Sequence, residues 1–167
     1  NHLYLYDSKT GEVKNQITKG EYVVRGVERV DDTTRQIWFR AGGFKKEQDP
    51  YYIHHFMVNF DGENLRQLTH GVGTHDITYS PSGRFLLDTW SRVDQPPVTT
   101  YSPITRKFTI AIETADWQPL LATGWKAPER FVAKGRDGVT DIYGVIIRPT
   151  NFDPAKKYPM IENIYAG

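Results

Sequence analysis

Apolar and aromatic residues fall mainly in short runs bounded by Gly, Pro, Asn and Asp, a texture that favours strands over helices. The runs predict strands over residues 3–6, 22–30, 36–41, 53–60, 65–69, 75–80, 84–91, 98–102 and 108–113. Turn chemistry separates several of them: Lys9-Thr10-Gly11, Asp61-Gly62 and Pro81-Ser82-Gly83 each put a glycine where a hairpin needs positive φ. After Glu113 the pattern changes. Residues 115–123 predict a short helical turn or two with Trp117, Leu120 and Leu121 on one side, which Pro119 either confines to the first turn or breaks. Next come a segment at 129–134, a turn at Arg136-Asp137-Gly138, a long apolar strand over 142–148, a loop over 149–158 and a final apolar strand from Pro159 to Gly167.

An internal repeat organises the first part. Gly11-Glu12, Gln16-Ile17-Thr18 and Gly20 recur as Gly62-Glu63, Gln67-Leu68-Thr69 and Gly71, at a constant offset of 51 residues. A period near 50 residues carrying about four short strands matches a propeller blade better than a helical solenoid. One blade is expected over about 21–69 and the next over about 75–113. Two blades do not close a ring, so the parent protein is expected to contain more.

Charge and composition narrow the partners. The chain has 21 basic and 20 acidic residues, a net charge of +1, and no basic run able to follow a phosphate backbone or an anionic bilayer. Nucleic acid is therefore not an expected partner. No apolar stretch approaches the roughly 18 residues that span a bilayer, so no membrane segment is expected in this chain. With no cysteine, disulfides and thiolate metal sites are ruled out. Asn1–Tyr6 lack an initiator Met and a signal-peptide layout, and the closing apolar segment stops without a polar tail. Both ends are expected to be cuts in a longer protein.

From Glu21 onward, specific strings add to this picture. Ile37-Trp38-Phe39, Leu68-Thr69, Tyr79-Ser80-Pro81-Ser82-Gly83-Arg84-Phe85 and Ser91-Arg92-Val93-Asp94-Gln95-Pro96-Pro97 are followed, in order, by Ile146-Ile147-Arg148-Pro149, Phe152-Asp153, Lys156-Lys157-Tyr158-Pro159 and Ile164-Tyr165-Ala166-Gly167. This series resembles the dipeptidyl-peptidase IV branch of the prolyl oligopeptidase family, with the first twenty residues resting on the repeat alone. The fold class that follows is mainly β: two antiparallel four-stranded propeller-type blades, then the first β-strands of an α/β-hydrolase domain. The expected division is the C-terminal part of the propeller over 1–114, a linker with a helical turn over 115–126, and truncated hydrolase strands over 127–167.

The resemblance implies a serine-type dipeptidyl peptidase that releases N-terminal dipeptides through a Ser, Asp and His triad. No Gly-x-Ser-x-Gly elbow occurs in the sequence, and the family places the triad downstream of Gly167, so this piece alone is expected to be inactive. Tyr165 is the one site residue the family assigns here, a catalytic donor to the oxyanion hole. A phenol of pKa near 10 stays protonated at neutral pH and can donate to the charge of a tetrahedral intermediate. A stand-alone, non-catalytic propeller-like module that binds peptide or protein is the alternative.

Other constellations read as structural. His54 and His55 are adjacent in a strand and point to opposite faces, so they do not share an ion, and His70 with His75-Asp76 lacks a recurring ligand spacing. All are expected to be surface or blade-packing histidines. Trp38, Trp90, Trp117 and Trp125 read as core and inter-blade packing, and Ser80 and Ser82 as turn residues. With no phosphate loop or dinucleotide fingerprint, no cofactor and no metal is expected. The expected partners are a peptide substrate for the parent enzyme and, through open strand edges, further copies of the chain. Localisation is open, with a periplasmic or extracellular parent preferred over a cytoplasmic one.

Overall fold

A computed structural model of the chain describes residues 1–105 and 107–164. The chain divides into two compact units, Asn1–Asp116 and Trp117–Gly167. The first is built from three antiparallel sheets in chain order: a hairpin of β1 (Tyr4–Tyr6) and β2 (Val13–Gln16), a four-stranded meander of β3 (Val23–Asp31), β4 (Gln36–Gly42), β5 (Ile53–Asn59) and β6 (Arg66–Gln67), and a second meander of β7 (Thr74–Tyr79), β8 (Phe85–Arg92), β9 (Gln95–Pro103) and β10 (Ile110–Thr114). These two meanders are the predicted blades.

Side-chain alternation gives the first blade two apolar faces. Ile37, Phe39 and Ala41 of β4, with Phe56 and Val58 of β5, bury against Ile17, Leu3 and Leu5 of the preceding hairpin region. Trp38 and Met57, at the intervening positions, bury with Leu68 against Leu86, Tyr79 and Ile104 of the second blade region. The first blade is thus sandwiched, and the three sheets stack as successive layers.

The sequence repeat is a structural repeat of the layer's closing hairpin. Gln16 Nε2 donates to the Thr18 carbonyl at 2.8 Å and Gln67 Nε2 to the Thr69 carbonyl at 2.6 Å. The Thr18 hydroxyl accepts the Leu3 N–H, and the Thr69 hydroxyl accepts the His55 N–H. His2 and His54 each bring Nδ1 to 3.2 Å of the same threonine oxygens. Tyr4 pairs with Gln16 and Phe56 with Gln67, so the first hairpin holds one residue more than the second. An irregularity in the β1–β2 register takes up that residue. Gly62 sits at φ +89°, and a Cβ there would come within 2.8 Å of the Ile17 carbonyl, so hairpin and blade meet at a glycine.

Several boundaries differ from the sequence reading. The strand β2 was not among the expected ones because VKNQ holds a single apolar residue; it forms by pairing with β1. β6 is only two residues, since Leu68 turns its N–H to the His55 carbonyl and the chain then leaves for β7. β9 starts earlier than expected and includes Pro96 and Pro97, which fall where the β8–β9 register is irregular and no ladder bond is lost.

In the second unit, α1 (Gln118–Leu121) is a single turn with Pro119 in its first positions, where the missing N–H costs no hydrogen bond. Trp117 and Trp125 meet edge to face at 5.6 Å, so this tryptophan pair packs within the second unit and not in the blades. β11 (Glu129–Lys134) and β12 (Asp141–Ile146) form a hairpin around Asp137, whose carboxylate accepts the N–H groups of Val139 and Thr140. The expected closing strand is corrected within the described residues: 159–164 are unpaired and Met160, Ile161 and Ile164 are 91%, 94% and 72% exposed. A strand exists only through hydrogen bonds to a neighbour, and among the described residues none is paired with that segment.

Close packing at the blade junction makes a testable demand. A Cβ on Gly71 would overlap the Trp90 ring. Gly71→Ala is expected to destabilise the first unit by about 1–3 kcal/mol, read as a lowered urea midpoint with the slope unchanged.

Candidate functional site

The most polar buried region of the described chain lies where the two blades join. β5 places His54 and His55 side by side, the link after β6 brings Thr69 beneath them, and β7 and β8 supply His75 and Asp88; all five are buried. His75 Nδ1 lies 2.8 Å from Asp88 Oδ1, and its Nε2 lies 3.0 Å from the Gly71 carbonyl oxygen. Its ring lies between His54, at a centroid separation of 4.7 Å, and Trp90, at 5.8 Å.

The two adjacent histidines have separate partners, as expected for neighbours on a strand. His54 Nε2 donates to Gln48 Oε1 at 2.9 Å, while Gln67 Nε2 donates to His54 Nδ1 at 3.1 Å. His55 Nε2 donates to the His75 carbonyl at 3.0 Å, tying β5 to β7. Its Nδ1 lies 2.8 Å from Glu28 Oε1 without the geometry of a directed hydrogen bond. Burial holds the His54 pKa down at about 3, reinforced by the positive charge of His75 and of Lys45. Burial also raises the Tyr79 phenol, with the Glu28 carboxylate adding to it. Among the described residues the buried Tyr79 hydroxyl has no hydrogen-bond partner.

This arrangement is a packing and hydrogen-bonding seam. Among the described residues no group of three His, Cys, Asp or Glu side chains is placed to hold a metal ion. Asp88 was missed in the sequence reading, although its position two residues after the buried Leu86 in β8 puts it on the same inward face. Ser80 and Ser82 share a turn: the Ser80 hydroxyl accepts the Phe85 N–H and lies 3.2 Å from that of Ser82. Trp38 lies in the inter-blade core and Trp90 against His75. No described helix is long and apolar enough to cross a membrane.

The one catalytic candidate from the sequence, Tyr165, lies outside the described residues. Upstream of it, the Ile146-Ile147-Arg148-Pro149 string is anchored by Arg148, whose guanidinium grips Glu129 at 2.6 and 3.1 Å and covers the Phe152 ring at 4.5 Å. The Arg148 hydrogen bond holds the Glu129 pKa below its ordinary value. Both groups are solvent-exposed, so the pair fixes geometry more than it adds stability.

Consecutive four-stranded antiparallel meanders, stacked face on face around a shared repeat, define a mainly β protein of the propeller-blade type. Residues 1–97 match the family model of the dipeptidyl peptidase IV (DPP IV) N-terminal region, and the chain belongs to that family. The match includes the first twenty residues, beyond the strings that carried the sequence resemblance. Among relatives, a "probable dipeptidyl-aminopeptidase B" of Ajellomyces dermatitidis is 27% identical over 173 residues, covering 90% of this chain and 17% of the relative. Human dipeptidyl peptidase 8 is 26% identical over 90% of this chain and 18% of its own. The crystal structure of Porphyromonas gingivalis dipeptidyl peptidase 4 superimposes with a TM-score of 0.67 at 23% identity, covering 95% of this chain and 22% of that one. The chain thus spans about a fifth of the length of these proteins.

The seam predicts a mutational cost. Asp88→Ala leaves His75 buried without its carboxylate and is expected to destabilise the first unit by about 3 kcal/mol, measured by urea unfolding. Asp88→Asn, which keeps an acceptor, loses less; equal, negligible losses would show that the pair contributes nothing to the joint.

Proposed function

We propose that this chain is part of a serine-type dipeptidyl peptidase of the DPP IV kind, in which it supplies the last propeller blades and the opening strands of the hydrolase domain. The observation that carries the reading is the reach of the relatives: dipeptidyl peptidases align over 90% to 99% of the chain, well past residue 97, where the propeller family match ends. In this reading residues 1–114 belong to the propeller, 115–126 link the domains, and 127–167 open the α/β-hydrolase sheet. The unpaired segment 159–164 then finds its neighbouring strands in the remainder of the protein.

The chemistry is acyl transfer. The serine attacks the scissile carbonyl, the histidine takes the serine proton and passes it to the leaving amine, and water repeats the sequence on the acyl-enzyme. This chain holds none of those three residues under the proposal and contributes scaffold, channel wall and Tyr165. The Tyr165 hydroxyl donates to the oxyanion as the carbonyl becomes tetrahedral, a contact stronger in the transition state than in the bound substrate.

In the full-length enzyme, Tyr165→Phe is therefore expected to lower kcat about 100- to 1,000-fold with little change in KM, measured on a dipeptidyl chromogenic substrate. An unchanged kcat removes Tyr165 from the oxyanion hole. Open edges on β10, β11 and β12 favour pairing with another copy when this piece is produced alone. Light scattering is expected to show a mass that rises with concentration, and a concentration-independent monomer contradicts strand-edge association.

A further inference from the structure

His54 stands at the joint between the blades in a buried setting that favours the neutral ring, with only a hydrogen bond to Thr69, whose hydroxyl oxygen lies 3.2 Å from Nδ1, acting the other way. Gln67 Nε2 already donates to the Thr69 carbonyl at 2.6 Å, which fixes that amide as a donor and makes His54 Nδ1 an acceptor. The remaining nitrogen, Nε2, faces the acceptor oxygen of Gln48. The charged groups that act on His54 are all cationic or can become so: His75 on β7, Lys45 in the β4–β5 loop and His70 in the link before β7. Asp88 is taken up by the far side of His75, and Glu28 lies beside His55. Among the described residues no carboxylate is paired with His54.

We infer that His54 is an acid-operated release for the joint between the two blades. A proton from solvent on Nδ1 removes the acceptor used by Gln67 within the first blade, sets a charge 4.7 Å from the His75 ring across the joint, and through that charge separates β5 from β7. The hydrogen-bond ladders within each blade are untouched by this step, so the blades part as intact sheets. The release involves only β5 to β8 and the loops beside them, and it holds whatever chemistry the rest of the protein performs.

The sign follows from linkage. A histidine held at about 3 in the fold against 6.5 when free adds stability that is complete above about pH 6.5 and is lost as pH falls toward about 3. Between pH 7 and pH 4.5 the opening equilibrium of the joint is expected to shift roughly 10- to 100-fold.

The chain carries its own reporter. It has two methionines: Met57, 2% exposed in the inter-blade core, and Met160, 91% exposed. Dilute hydrogen peroxide oxidises each accessible thioether to the sulfoxide and is itself reduced to water. With the whole chain as sample, the Met57 to Met160 oxidation ratio is read by mass spectrometry at pH 7 and 4.5, with far-UV circular dichroism in parallel. The expected result is a ratio that rises roughly 10- to 100-fold in the natural chain with the β-signal retained, and stays low at both pH values in His54→Gln. A ratio indifferent to pH, an equal rise in the variant, or a rise that coincides with loss of the β-signal overturns the inference. Should His54→Gln fail to fold, histidine ring nitrogen shifts of the natural chain decide: Met57 exposure must follow the titration of His54, and exposure that follows another histidine refutes it.

Discussion

A sheet that is apolar on both faces does not stand alone in water, and the first blade is such a sheet. β4 and β5 send Ile37, Phe39, Phe56 and Val58 to one side and Trp38 and Met57 to the other. Each fully buried side chain of this size contributes about 1.5–3 kcal/mol relative to exposure, which is available only if another layer covers each face. The preceding hairpin and the second blade are those layers, and the stacked order of the unit follows from this demand. It is the demand that a ring of blades meets everywhere at once.

The repeat was legible because it records a layer-to-layer device, not a chance likeness of turns. Gln16 and Gln67 bind the carbonyl two residues on, and Thr18 and Thr69 receive an N–H from the neighbouring strand, so each Gln-x-Thr closes one layer against the next. The strands rich in aromatic and branched residues were readable for the same reason: their side chains fill the two cores. β2 was not readable, because its polar VKNQ pairs through the backbone and its burial comes from the residue after it, Ile17. The blade joint was half readable. His54, His55 and His75 drew notice as titratable residues, but Asp88 gains meaning only when β7 and β8 pair and bring it to 2.8 Å from His75. Long-range pairing of that kind leaves no local pattern. Tyr165 was legible solely through the string that surrounds it.

The two units differ in how far they meet their own needs. In Asn1–Asp116 two apolar clusters are buried and the buried histidines have hydrogen-bond partners beside them. Among the described residues of the second unit none is buried. Phe131, Ala133, Ile142 and Ile146 share one face of the β11–β12 hairpin, and Phe131, Ile142 and Ile146 remain substantially exposed. A lone two-stranded hairpin is marginal in water, and here Phe131 lying over Gly144 and the exposed Arg148–Glu129 pair are its main internal supports.

That contrast bears on where polarity is placed. In the first unit, apolar contact between blades is supplemented by a buried hydrogen bond that crosses the joint, from His55 Nε2 to the His75 carbonyl, flanked by the bonded groups of Gln48, His54, Gln67 and Thr69 on one blade and of Gly71, His75 and Asp88 at the start of the other. Apolar surfaces slide over one another at small cost, whereas a buried donor left without its acceptor loses about 1–3 kcal/mol. The polar seam therefore fixes the register of one blade on the next, which the cores alone do not. Using histidine for that purpose couples the register to the proton, because the same ring nitrogen that accepts from Gln67 at neutral pH becomes a donor facing a donor once it is charged.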